Sequence, residues 1–481
     1  MEILKHSLHP LFNPRSIAVV GASSDPEKIG FLMMRHLLEG GFKGRLYPIN
    51  PKGGEVFEIP AFPSILKIPD PIDLAILVIP RNAIIPTVKE CLEKDVKAAV
   101  ALTAGFREIG EEGDRAQDEL GLLLKGSRLR LLGPNCAGHL NNWSDLNASI
   151  ELRPPKGHIS LVSQSGSLMS AFASNIGMRG LGVAKSTSIG NKVNISEADL
   201  LEYLADDEET QVISFYLEDL REGRRFLKIA RSASTKKPIV VLKAGRTKEG
   251  IRATFSHTGA MAGEDRILDG AFRQAGILRA ETLDDFYDLC YGLSLSRPIY
   301  GNAIGILSDA GGPGVIATDA AVFQGFRIEA PSREAQKDLR SFLPPISSVM
   351  NPIDMTFTRE VTWYRRSLEI LSREPWHSFL VTIPSHFKVK RELAETLIEG
   401  SRKIPQPLFV AWLSPWEIQE TLRYLTEHKV PVYPTPERAL RVMEKLVQYG
   451  RWLRGPQRSK GSVRGVSKNN PISGYWVNRK G

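Results

Sequence analysis

Cysteine is scarce in this chain, three in 481 residues. Cys91, Cys136 and Cys290 stand too far apart for a disulfide framework or a zinc cluster. No apolar run approaches the roughly 20 residues of a membrane span, and Leu74 to Pro80 (LAILVIP) has the length of a buried strand. The N-terminus lacks the apolar core of a signal peptide, so a cytoplasmic protein without membrane contact is expected. Two nucleotide signatures are missing as well: the GxxxxGKS or GxxxxGKT phosphate loop and the GxGxxG dinucleotide turn. An excess of basic charge, formally +9, points to nucleic acid only until it is located. Residues 451–481 contain eight Lys or Arg and no Asp or Glu, which leaves the remainder near neutral. That tail is rich in Gly, Ser and Asn, and is expected to be a flexible, solvated extension and not a nucleic-acid surface.

What is present is a repeated strand, turn and helix. The length allows two to four domains, each with its own core. From Arg15, the strand SIAVV runs into Gly21-Ala22-Ser23-Ser24 and a helix from about Lys28 to Glu39. The apolar runs RLYPIN, LAILVIP, AAVALTA and LRLLGPN follow, with helical stretches between them. Strands alternating with helices imply a parallel sheet covered on both faces. Ligands in such sheets lie at the carboxyl ends of the strands. Those ends here carry Gly21 to Ser24, Asn50-Pro51-Lys52, Ile79-Pro80, Thr103-Ala104-Gly105-Phe106 and Gly133 to Cys136. No acidic residue closes the second strand; Lys52 stands close to that place, which suits a phosphorylated ligand and argues against NAD.

A second unit opens near Lys156, where the strand HISLVS leads through Gln164-Ser165-Gly166-Ser167 into the helix LMSAFASNIG. Small residues at a helix start leave backbone N–H groups facing an anion, although a serine N-cap has the same appearance. The strands QVISFYLED, with Glu218 near its end, and PIVVLKAG follow, and helical GEDRILDGAFRQAG and DDFYDLCYGLSL close the unit. SRPIYGN (296–302) reads as a linker. A third unit repeats the pattern: AIGILSD, then Ala310-Gly311-Gly312-Pro313-Gly314, then the helix VIATDAAVFQG. Asn351 and Asp354 read as turn formers. HSFLVTIPS and PLFVAWLS read as buried strands, and PERALRVMEKLVQYGRWL as a closing helix.

The segment from Leu242 to Asp265, LKAGRTKEGIRATFSHTGAMAGED, reads as a loop of small residues around His257. A neutral imidazole exposed there is a competent nucleophile near neutral pH; an incidental surface histidine has the same local sequence. Cys136 is not read as catalytic, because no base accompanies it. Lys28, in the first turn of a helix, is a weaker phosphate candidate than Lys52.

In order along the chain, VVGASSDPEKIG, INPKGG, GPNC, SQSGS, SIGN, KAGRT, SHTGA, AGGPGV and NPID resemble the α subunits of ADP-forming (NDP-forming) acyl-CoA synthetases, relatives of succinyl-CoA synthetase. The resemblance covers about residues 8–450. It implies an α/β chain: a Rossmann-like CoA-binding domain over 1–140, then two flavodoxin-like, succinyl-CoA synthetase-like domains over 141–297 and 298–450, then the tail, 451–481. It also implies that phosphate cleaves a bound acyl-CoA to an acyl phosphate, that His257 takes the phosphoryl group, and that ADP receives it. In that scheme Glu218 orients His257. Gly21, Ala22, Ser23, Lys52, Thr103, Ala104 and Gly105 hold CoA, and the helix starts at Ser165-Gly166-Ser167 and Gly311-Gly312 bracket phosphate. ADP or ATP with Mg would belong to an ATP-grasp β subunit, in a heterotetramer with two of each chain. The family often has Asn where Asp309 stands, and a carboxylate there would repel phosphate unless it points away. Ala137-Gly138-His139 replaces a larger apolar residue after GPNC, for which a small packing change is expected. A CoA- or acyl-CoA-binding regulatory protein without turnover is the alternative; retention of His257 and Glu218 favours the enzyme. An NAD-dependent oxidoreductase fails on the missing fingerprint.

Overall fold

The computed structural model describes residues 6–258, 265–357, 360–384, 390–414 and 418–455, with backbone alone for 255–258. The chain forms two compact units, 1–177 with 182–281, and 178–181 with 282–481.

The first unit holds two sheets. After a short helix α1 (His9–Phe12), the chain lays down β1 (Ser16–Val20), α2 (Ile29–Glu39), β2 (Arg45–Ile49) and a small hairpin of β3 (Glu55–Val56) and β4 (Ile59–Pro60). It continues with β5 (Leu74–Leu77), α3 (Arg81–Glu93), β6 (Ala98–Ala101), α4 (Glu111–Leu124) and β7 (Arg130–Leu132). The sheet order β2-β1-β5-β6-β7 is parallel throughout. Its strands read as unbroken apolar runs because helices bury both faces. In α4 the first turn carries Glu111, Glu112 and Asp114, which complement the helix dipole.

Two strands that the sequence pattern does not reveal come next, β8 (Gly138–Asn141) and β9 (Leu146–Ser149). They precede β10 (Lys156–Ser163), α5 (Gly166–Met178), β11 (Val183–Ser188), α6 (Glu197–Asp206), β12 (Val212–Leu217), α7 (Gly223–Ala233), β13 (Ile239–Lys243), α8 (Lys248–Thr258), α9 (Asp265–Gln274) and β14 (Ile277–Ala280). The order is β14-β13-β12-β10-β11-β8-β9, with β8 and β9 antiparallel. The boundary expected at 140 therefore falls inside β8.

Residues 6–13 cross to this second sheet. Leu8, Leu11 and Phe12 are fully buried; Phe12 stacks on Tyr203 at 4.7 Å and meets the edge of His139 at 5.5 Å. His139 Nε2 donates to the Leu11 carbonyl at 2.7 Å, and Asn141 Nδ2 and Ser144 Oγ donate to that of Phe12, each at 3.0 Å. After GPNC the chain thus places a buried histidine that holds the N-terminal segment.

The second unit begins with α10 (Leu283–Leu295), capped by the Thr282 side chain. It continues with β15 (Ile304–Ser308), α11 (Gly311–Phe323), α12 (Arg333–Arg340), β16 (Ile353–Asp354), α13 (Val361–Leu371), β17 (Ser378–Ile383), α14 (Lys390–Lys403), β18 (Leu408–Trp412), α15 (Gln419–Glu427), β19 (Val432–Tyr433) and α16 (Pro436–Arg454). The sheet is parallel, in the order β16-β15-β17-β18-β19. α10, read as closing the preceding unit, packs here on α16: Arg438 Nε and Asp288 lie 2.7 Å apart, and Arg441 pairs with Asp285. α16 also runs into the expected tail, as far as Arg454, while 456–481 lie outside the described residues. Among the described residues no helix is long and apolar enough to cross a membrane.

Burial pushes the His139 imidazole down to about 4. An unfolded histidine takes its proton near 6.5, so the unfolded state binds more protons between these values. Stability is full above pH 6.5 and falls as the pH drops towards 4, by up to about 3 kcal/mol from this group. Thermal unfolding of His139→Gln, which keeps an N–H donor, should show a flatter pH dependence over that window than the wild type.

Candidate active site

Three strand ends of the first sheet form the expected CoA face. After β1 the chain turns at Gly21 with φ +91°, and a Cβ there would lie 2.1 Å from the Val78 carbonyl oxygen. At Gly30, in the first turn of α2, a Cβ would lie 2.0 Å from the Gly21 carbonyl oxygen. Two glycines therefore let the helix start press directly onto the strand end, a contact no side chain permits. Ala22 and Ser23 are buried in this turn and Lys52 is exposed. Asn50 joins the two loops: its Nδ2 donates to the Ala22 carbonyl at 3.1 Å and its Oδ1 accepts the Lys52 N–H at 3.0 Å.

The third loop is tied differently. Thr103 Oγ1 donates to the Ile79 carbonyl at 2.5 Å, and the Gly105 N–H donates to Glu108 Oε1 at 2.6 Å. These donors serve the loop itself, which leaves the exposed Ala104 at its tip. Burial opposes the Glu108 charge, but the Asn191 amide and the N–H groups of Gly105 and Phe106 outweigh it and hold the carboxyl below its ordinary range. Asn191 Nδ2 reaches Glu108 Oε2 at 2.6 Å and Gln117 Oε1 at 2.9 Å. The CoA-side loop is thereby joined to the loop after β11.

In the second sheet β10, β12 and β13 are parallel neighbours. Their carboxyl ends deliver Ser165, Glu218 and the KAGRT segment to one edge. Ser163 Oγ closes the turn into α5, donating to the Ser165 carbonyl at 2.6 Å and accepting the Ser165 N–H at 3.1 Å. Ser165 and Ser167 hydroxyls lie 3.0 Å apart. The first turn of α5 carries no acidic residue, so its N–H groups face no opposing carboxylate from their own helix.

Glu218 is buried, and Tyr216 Oη donates to its Oε1 at 3.3 Å. Burial and the nearby Glu218 charge push the Tyr216 phenol up, so it stays a donor. Asp219 lies in a buried ion cluster. Lys192 Nζ is 2.5 Å from Asp219 Oδ1 and 3.2 Å from Glu197 Oε2. Burial works against Asp219, yet Lys192 and the Gln164 amide hold its carboxyl below the usual range.

The segment with His257 is not a loop up to that residue. Lys248–Thr258 is helical, started by Thr247, whose Oγ1 accepts the Gly250 N–H at 3.0 Å. His257 therefore belongs to the last turn of α8; its side chain, and residues 259–264, lie outside the described residues. The chain reappears at Asp265, anchored by Arg279 of β14 and, at 3.4 Å, by Arg246 Nε. Burial opposes the Asp265 charge, but these two guanidiniums keep its carboxyl low.

The third sheet repeats the α5 turn with other chemistry. Ser308 Oγ donates to the Ala310 carbonyl at 2.6 Å, and α11 starts at Gly311 with no side-chain cap. Gly311 and Gly312 are exposed. Asp309 is fully buried, and burial together with the Asp309 charge pushes the neighbouring Tyr364 phenol up. The carboxylate beside that start is Asp354, whose Oδ2 would lie 3.2 Å from a Cβ on Gly311. Asp354 forms a short edge strand and not a turn. Asn351 fills in for the missing strand by accepting the Ile306 N–H (3.0 Å) and donating to the Ile304 carbonyl (2.8 Å).

Gln164, Lys243, Glu108, Asn191 and Lys192 did not stand out in the sequence. Gln164 and Lys243 lie inside SQSGS and KAGRT, but a side chain's burial is not written in a motif. Cys136 is buried, with its thiol pushed up to about 12 by burial, which fits its exclusion as a nucleophile.

Three α/β sheets in series, with α5 capped by the Ser165 hydroxyl, which accepts the Leu168 N–H at 3.4 Å, and α11 uncapped, fit the architecture expected of a CoA-dependent ligase. The family model for a CoA binding domain matches residues 15–142, that for a succinyl-CoA ligase like flavodoxin domain matches 156–293, and that for a ligase-CoA domain matches 304–458. The acetate–CoA ligase [ADP-forming] I subunit alpha of Pyrococcus furiosus is 38% identical, over 93% of this chain and 98% of that one. The acetate–CoA ligase [ADP-forming] of Methanocaldococcus jannaschii is 37% identical over 91% of this chain, which spans 62% of that relative. The structure of dinucleotide-forming acetyl-coenzyme A synthetase 1 of Candidatus Korarchaeum cryptofilum, in complex with phosphate and ADP, gives a TM-score of 0.86. It is 34% identical, covering 92% of this chain and 97% of that one. The chain belongs to the ADP-forming acyl-CoA synthetases, as an α-type chain.

Gly30→Ala should push α2 off the strand end and lower stability by about 1–3 kcal/mol. CoA binding by titration calorimetry should weaken in the same variant, whereas Gly270→Ala, which has open space for a Cβ, should leave it unchanged.

Proposed function

We propose that this chain is the CoA- and phosphate-handling subunit that carries a phosphohistidine between acyl phosphate and a nucleotide on a partner. The observation that supports the reading best is the shared edge of β10, β12 and β13. It places an anion-suited helix start, a buried carboxylate and the root of the His257 segment on neighbouring strands. CoA is held by the turn at Gly21, Ala22 and Ser23, with Lys52 as a point charge for a phosphate and the loop Thr103-Ala104-Gly105 beside it. Phosphate attacks the thioester carbonyl, the carbon–sulfur bond breaks, and CoA leaves as the thiolate. The acyl phosphate then gives its phosphoryl group to a ring nitrogen of His257, and the carboxylate departs. The helix start at Ser165-Gly166-Ser167 offers N–H groups to the phosphoryl oxygens, and the resemblance assigns phosphate binding to the turn at Gly311-Gly312 as well. Little covalent work falls to the protein in such a transfer, and position and charge stabilisation dominate. Glu218 orients His257 through its other ring nitrogen.

The P. furiosus relative is named a subunit alpha and acts on acetate. By that likeness the acyl group is small, and a β subunit of ATP-grasp type brings ADP or ATP with Mg in a heterotetramer with two of each chain. We infer a cytoplasmic assembly from the expectation drawn from the sequence.

The test combines the protein with its partner chain and terminally labelled ATP. Wild type should take up acid-labile, base-stable label; His257→Ala should take none, and Glu218→Gln should take it about 100-fold more slowly. Label retained in His257→Ala overturns the reading. CoA binding without any labelling of wild type would return the regulatory alternative.

A further inference from the structure

Two side chains fix the peptide groups on either side of Glu218. Gln164 Oε1 accepts the N–H of Glu218 at 2.5 Å and that of Asp219 at 3.0 Å, while its Nε2 donates to Asp219 Oδ1. Lys243 Nζ donates to the Glu218 carbonyl at 2.6 Å. Gln164 is buried and stands between Ser163 of β10 and the helix start at Ser165-Gly166. A primary amide suits this place, because it can accept from two adjacent N–H groups and still donate to a carboxylate on the same turn. Glutamate there would set like charge against Asp219, and an apolar residue would leave two N–H groups without that acceptor. Asp219 is held from its other side by Lys192, so the turn cannot swing without parting a buried ion pair. The fold itself does not call for an amide here. At the matching place in the third sheet, between Ser308 and Ala310, the residue is Asp309, a buried carboxylate near Tyr364.

We propose that Gln164 is a positioning residue for phosphoryl transfer, locking the Glu218 carboxylate in register with the helix start at Ser165-Gly166. The phosphate cradle and the group that orients His257 then form one rigid piece. This rests on the role proposed above for Glu218, through which Gln164 acts.

A double-mutant cycle read by rapid-quench labelling of His257, with the partner chain and labelled ATP, tests it. Gln164→Met keeps the side-chain volume and removes all three hydrogen bonds. It should slow labelling at least about tenfold, with KM for ATP changed less than about twofold. In a Glu218→Gln background the same change should matter less than about twofold, because the group it positions has lost its charge. An equal slowing in both backgrounds, or none in the wild-type background, overturns the inference. If Gln164→Met does not fold, Gln164→Glu, of equal length, takes its place under the same criterion. A wild type that takes no label removes the phosphohistidine reading and this inference together; a labelled wild type with an additive cycle removes this inference alone.

Discussion

The ammonium of Lys192 is withdrawn from water, and the loops at the edge of the second sheet are arranged around that fact. A buried charge is tolerated only when it is paired and its remaining protons are bonded. Asp219 and Glu197 supply the pairing, and the Asp219 carbonyl takes a further bond at 3.3 Å. Lys192 itself adopts a left-handed backbone, φ +56°, a conformation that an ordinary side chain keeps only when its surroundings enforce it. Arg221 adds to the closure, its N–H donating to Glu197 at 2.8 Å and its guanidinium to the Lys192 carbonyl at 3.2 Å. The ends of β11 and β12 are thereby fixed to one another by charge, independently of the sheet's own hydrogen bonds.

From that cluster a continuous set of bonds reaches the CoA side. Asn191, next to Lys192, holds Glu108, and Glu108 holds the N–H groups of Gly105 and Phe106. In the other direction Asp219 meets Gln164, which meets Glu218. Every link involves a group that would be costly to leave unpaired inside the protein. The result is a continuous set of bonds, buried or partly buried, that joins the loop at Gly105 to the turn at Glu218.

Much of this fold is legible in the chain, for reasons particular to each element. LAILVIP, PIVVLKAG and PLFVAWLS read as strands because both faces of a parallel sheet are covered and the apolar run is unbroken. The glycine turns at Gly21, Gly166 and Gly311 read as helix starts for the same local reason. β8 and β9 do not read as strands, because GHLN and LNAS hide His139, Asn141, Asn147 and Ser149 in the interior, where partners more than a hundred residues distant satisfy two of them, His139 and Asn141. The helix that carries His257 was obscured by the small residues after it, although Thr247 is an ordinary N-terminal cap. Asn351 looked like a turn residue, yet its amide stands in for a stretch of strand. Asp309 could be judged only once Tyr364 was seen beside it.

The N-terminal segment carries a consequence for how the molecule is made. Residues 6–13 precede the first sheet but are seated on the second, with bonds spanning 128 residues from His139 to Leu11 and 190 from Tyr203 to Asn13. The chain's opening residues cannot reach their place until α6 has left the ribosome. Leu8, Leu11 and Phe12 thus lack these partners during the early part of synthesis, when a chaperone that recognises apolar surfaces can meet them.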